Sequence, residues 1–339
     1  MSRTLMLLRG YKILFMEGGK NPFLLLLIAI IVLVAAAMPF ILPNPYIIGV
    51  MVLLLLYITL ATAWNLIGGY AGQASLGHAA FMGLGAYAMA ILSQRFGISP
   101  WLGMAIGTLF ATALSYPIGY ICFRLRGVFF IMVTLAMAEI LREISLNWVD
   151  LTNGARGMMV PPLFADVGKA DYYWLALGIA LLSILTTYIV TRSKLGYNLI
   201  AIREDERAAA AIGINTDQSK QMALAISAFF TGMIGAFYAS YIRYIDPDVL
   251  FGIRFSLEMI FMPIVGGAST IIGPIVGALL LGLSAEYFRT IFKEANLLIY
   301  GVMLVLAMLV MPGGIVGEIK RLSRWARKRT GLGGKSASA

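Results

Sequence analysis

Few residues in this chain are equipped to do chemistry, and the charged ones gather most densely in one stretch. Arg203-Glu204-Asp205-Glu206-Arg207 holds three acids and two bases in five residues, followed by four alanines, Ile212 and Gly213. Acids at the start of a helix meet the positive end of its dipole, and alanine is the strongest helix former. Gly213 suits a left-handed C-cap. Ala208, Ala211 and Ile212 fall at i, i+3 and i+4, one small apolar face. The pattern predicts a short surface helix over Arg203–Gly213, offered to a partner. A solvated connecting loop fits the charges equally well.

The remaining candidates are scattered. There is no G-x-x-x-x-G-K-[ST] loop and no H-E-x-x-H motif. With one histidine and one cysteine, no metal cluster or Cys–His nucleophile is expected. His78 therefore reads as a packed or hydrogen-bonded residue, and the chain as no enzyme by itself, binding no cofactor of its own. Glu139, Arg142 and Glu143 stand at i, i+3 and i+4 inside an apolar run, and Glu258 stands in a later one. Charges in such runs are costly. Their places near the ends of the runs favour local pairing over a role in a wet cavity. Gly68, Gly69, Gly72 and Gly77 crowd around Gln73, Ser75 and His78, and Gly273 and Gly277 form G-x-x-x-G. Small residues let helices approach closely, so packing is the first reading and a pathway lining the second.

These residues must be positioned by spans of hydrocarbon. Of 339 residues, 60% are hydrophobic and 12% charged, against about 25% charged in a soluble domain. The apolar runs are continuous rather than alternating, so the fold class expected is an all-α integral membrane protein. Spans are expected at about 21–42, 46–65, 78–92, 101–123 (interrupted by Pro117), 127–147, 172–191, 220–242, 255–266, 271–289 and 296–311. The long run after Phe255 is divided at Gly266-Gly267-Ala268-Ser269-Thr270. That makes about ten transmembrane helices in a single domain over 1–339. A basic segment (1–20) precedes the membrane part (21–312), a charged loop (193–219) interrupts it, and a basic tail (313–339) follows.

Eighteen of the 26 lysines and arginines fall in 1–20, 124–126, 192–220 and 312–339. Seven fall in the alternate loops, and Arg142 is within a span. By the positive-inside rule both termini and the charged loop are cytoplasmic. The net charge of +10 points to lipid headgroups rather than nucleic acid, since no aromatic-interleaved basic platform accompanies it.

From Trp64 to Tyr87, WNLIGGYAGQASLGHAAFMGLGAY, the sequence resembles the M-type permease subunits of branched-chain amino acid ABC importers. The likeness continues through Leu195-Gly196-Tyr197, Ala201–Asn215 and Gly266–Ala278. The resemblance implies a cytoplasmic coupling helix at the charged segment, with Arg203, Glu204, Asp205, Glu206, Arg207, Ala208, Ala211, Ile212 and Gly213 at the contact with an ATP-hydrolysing subunit. It implies a second, homologous permease, two ATP-binding subunits that carry the ATP and Mg, a soluble binding protein, and a bacterial-type inner membrane. One departure stands out. Where importer loops of this kind read E-A-A-x-x-x-G, this chain has Arg207-Ala208-Ala209-Ala210-Ala211-Ile212-Gly213, so Arg replaces the acid.

Permeases for urea or short amides share the resemblance. A self-sufficient secondary transporter would carry acids at mid-depth and an inverted repeat, and the sequence shows neither. A purely structural membrane protein would not need the coupling segment.

Overall fold

The computed structural model describes residues 22–164 and 168–291, with positions 301, 302, 305, 309, 313–319 and 321 beyond them. Segment 1–20, most of the expected last span at 296–311, and the tail past Arg321 lie outside the described residues. The helices are α1 (Pro22–Ile41), α2 (Pro45–Asn65), α3 (His78–Phe96), α4 (Pro100–Cys122), α5 (Val128–Asn147) and α6 (Lys169–Arg192). They continue as α7 (Lys194–Glu204), α8 (Glu206–Ala211), α9 (Thr216–Ile242), α10 (Ile253–Gly266) and α11 (Ile272–Ile291). Two short strands, β1 (Met158–Met159) and β2 (Tyr244–Ile245), pair antiparallel.

Local signals set the boundaries. Asn44 accepts a hydrogen bond from the Tyr46 amide and Pro45 opens α2. The expected interruption at Pro117 is absent, and α4 runs through it. Membrane helices tolerate an internal proline, and α9 packs beside this one, Gln221 donating to the Ser115 carbonyl at 2.9 Å.

Among the described residues, five helices are long and apolar enough to cross a membrane: Pro45–Tyr70, Pro100–Cys122, Lys169–Arg192, Thr216–Ile242 and Pro247–Gly266. The chain is thus an all-α membrane protein. α9 runs through its middle against α2, α3 and α4, with Ile234 and Phe237 wholly buried. α10 and α11 form the hairpin expected around Gly266–Thr270. A β-carbon on Gly266, Gly273 or Gly277 would run into a facing carbonyl, so only glycine permits their backbones to meet.

The connections sort into two ends. At one end Glu206 meets Arg126 at 3.6 Å, Arg203 meets Ser269, and the turn at Gly314 abuts Gly267. At the other, Tyr46 bonds Glu286, Lys169 bonds the Pro45 carbonyl at 3.2 Å, Trp101 bonds the Leu163 carbonyl at 2.9 Å, and β1 pairs with β2.

Candidate functional site

The helix expected over Arg203–Gly213 is two helices. Asp205 is extended (φ −159°, ψ 111°) and ends α7, so Arg203 and Glu204 belong to the helix before the break. The same Asp205 is the N-cap of α8: its carboxylate accepts from the Arg207 amide at 2.8 Å and the Ala208 amide at 3.0 Å. An aspartate suits a first-turn acid and a cap alike, and the two-amide bond favours the cap. These bonds, the one from Ala208 first, hold the Asp205 carboxyl below its ordinary pKa. At the far end Gly213 is left-handed (φ +87°) as expected, and its amide donates to the Ala210 carbonyl at 3.0 Å.

The six-residue α8 presents two faces. Ala209 is buried against the protein. Ala208, Ala211 and Gly213 are exposed, and Ile212 is 76% exposed. Arg207 is also exposed. Glu206 turns inward: its carboxylate sits 2.7 Å from Lys220, whose side chain is 1% exposed. Lys220 also lies 3.3 Å from Asp217 and over the ring of Phe123, 5.1 Å from its centroid. Lys220 and Arg126 carried no sequence signal for their pairing with Glu206, because it brings the start of α9 and the connection before α5 to α8 through space.

The glycine-rich stretch lies at the same end. α2 widens into a π turn over Leu66–Tyr70, a form often found at functional sites. Gly72 is left-handed (φ +70°), and a β-carbon there would come 2.7 Å from Arg203 Cγ. Gln73 is half-buried and Ser75 buried, with its hydroxyl accepting from the Gly77 amide at 3.2 Å. His78 Nε2 lies 2.8 Å from Ser227 Oγ, and that hydroxyl gives its proton to the Ala63 carbonyl at 2.7 Å. Nε2 therefore carries the imidazole proton and donates. His78 ties α3 to α9, as a packed histidine should.

Asn65 is fully buried, and its side chain crosses from α2 to the α10–α11 break. Oδ1 accepts from the Ser269 amide and Nδ2 donates to the Thr270 carbonyl, both at 2.9 Å. Ser269 Oγ in turn donates to the Gly69 carbonyl at 2.7 Å. The two glycine-rich stretches, about 200 residues apart in the chain, are thus one structural unit.

Glu139, Arg142 and Glu258 are not part of it. They lie at or toward the opposite end. Arg142 bonds Glu139 and, at 2.7 Å, Glu143, so the local pairing expected is present. It also bonds Asp248 at 2.6 Å, across to the segment before α10. Glu258 pairs with Arg254 one turn back at 3.0 Å.

A family described as "Branched-chain amino acid transport system / permease component" matches residues 46–308. The chain belongs to this family. It is 30% identical over 328 residues to the high-affinity branched-chain amino acid transport system permease protein LivM of Escherichia coli, covering 88% of this chain and 76% of that one. It is 25% identical over 288 residues to LivH of Salmonella typhimurium, covering 77% and 91%. The ribose import permease protein RbsC of Haemophilus influenzae is 27% identical over 210 residues, covering 58% and 63%. No solved structure matches. Family members are permease subunits, and the unit formed by α7, α8 and the two helix breaks is what this member offers at one end of its membrane body.

Proposed function

We propose that this permease forms half of the translocation pathway of an ATP-driven importer for branched-chain or other hydrophobic amino acids, delivered by a soluble binding protein. The second half is a homologous permease, and two separate subunits bind ATP and Mg and hydrolyse the nucleotide. The observation that carries this reading is α8, a short helix capped at both ends with Ala208, Ala211 and Ile212 uncovered. A permease with no energy source of its own needs a rigid lever to take up the motion of an ATPase. Closure of the ATPase pair would move two such levers and open the spans alternately to each side.

The distribution of bases supports ten spans with both termini and α8 in the cytoplasm of a bacterial-type inner membrane. The basic tail would then lie along the inner leaflet, each base contributing about 1 kcal/mol near an anionic surface. The test is contact. A cysteine in place of Ile212 should cross-link to a co-purified ATP-binding subunit; cross-linking only to lipid-facing neighbours, with no ATPase retained, would contradict the assignment.

A further inference from the structure

We propose that Arg203 is the positioning residue that fastens the α7–α8 arm to both broken helices of the membrane body, so that arm and breaks move together. The inference rests on α8 being the lever, and it names the joint through which that lever acts.

Arg203 stands in the last turn of α7, two residues before Asp205, the cap of α8. Its guanidinium Nη1 donates to Ser269 Oγ at 2.5 Å, and Nη2 is held by Glu204 at 2.8 Å. Ser269 Oγ already gives its own proton to the Gly69 carbonyl. Its lone pairs are therefore what Arg203 meets, a charge-assisted bond with a defined direction. Ser269 itself is held at φ +60°, a conformation that a β-carbon disfavours, and its amide is clasped by Asn65. The stem of Arg203 lies against Gly72, which follows the π turn. One side chain thus touches the loop after α2 and the break between α10 and α11 while rooted in the arm.

Broken helices free backbone groups, and buried ones must be satisfied by protein. Here Asn65, Ser269 and Thr270 satisfy them across the two breaks, and Thr270 also bonds the Gly267 carbonyl and the Gly273 amide. A static staple would need no link to the arm. Arg203 supplies that link, and a rigid element shared by two sites is what carries a coupling between them.

The test uses the whole reconstituted importer with binding protein loaded with leucine, read by hydrogen exchange and by uptake per ATP hydrolysed. Wild type is compared with Arg203→Ala, Arg203→Lys, Ser269→Ala and the double variant that combines Arg203→Ala with Ser269→Ala. Arg203→Ala should speed amide exchange at both 66–73 and 267–271, and Ser269→Ala should speed it in α8, because coupling is reciprocal. Leucine taken up per ATP should fall about 10-fold in each, the double variant being no worse than the more severe single one. Arg203→Lys, which keeps the charge but loses the fork, should be intermediate. Unchanged exchange at the breaks, or losses that multiply in the double variant, would overturn the proposal. If wild type takes up no leucine, the substrate reading fails, and the exchange measurements alone decide the joint.

Discussion

Glu206 is the first residue of α8, and its carboxylate faces back into the chain toward Lys220. A lysine whose side chain is 1% exposed cannot stand without its counter-charge. Removing one partner of a buried pair costs about 3–5 kcal/mol, whereas replacing both by apolar groups is often neutral. Asp217 remains near Lys220, so Glu206→Ala should destabilise by about 3 kcal/mol, the lower end of that range. Adding Lys220→Met should recover most of the loss. Thermal unfolding of the detergent-purified permease reads both. Equal Tm for wild type and Glu206→Ala would mean the pair is solvated.

Asp205 makes a pH prediction. Its folded pKa lies below the ordinary carboxylate value because the Ala208 and Arg207 amides bond the charged form. The cap's contribution is therefore full above the ordinary value and lost as pH falls through the lowered one. Amide exchange at Arg207 and Ala208 should accelerate only in that acid window. In Asp205→Ala it should be fast at every pH, while Asp205→Asn, still a good cap, should lose the acid dependence but stay slow.

Most elements were legible from hydrocarbon runs alone. The five long apolar helices, the division at Gly266–Thr270 and the left-handed Gly213 follow from chemistry that is local in the chain. Two features were not legible. The split at Asp205 was hidden because an acid fits a first turn and a cap equally. The clasp of Asn65 on Ser269 was hidden because it is a pairing through space, between residues whose types alone look like ordinary packing. At this scale Gly213→Val is informative: a β-branched residue resists φ +87°. It should fray the end of α8 without disturbing α9, seen as faster exchange confined to residues 210–214. Frayed exchange throughout α9 would show that the cap belongs to the span rather than to the lever.

On the scale of the molecule, the contacts divide the loops into two ends, and the proposed topology puts the end with α8 in the cytoplasm. Ala210 is exposed whereas its neighbour Ala209 is buried, so a label belongs at Ala210. An impermeant thiol reagent should reach Ala210→Cys only after the membrane is opened. Labelling from outside intact cells would invert the topology.

The central claim is that the open face of α8 receives the ATPase. Ala211→Trp would overfill a close contact, a kind of change costing about 1–3 kcal/mol in a packed core. It touches neither the spans nor the inward pair of Glu206 and Lys220. The deciding measurement is ATP hydrolysis by the reconstituted complex, with and without loaded binding protein, for wild type and Ala211→Trp. The account predicts strong stimulation in wild type and none in the variant, or an ATPase lost altogether. Equal stimulation and equal uptake in both would make α8 a connecting loop and contradict it.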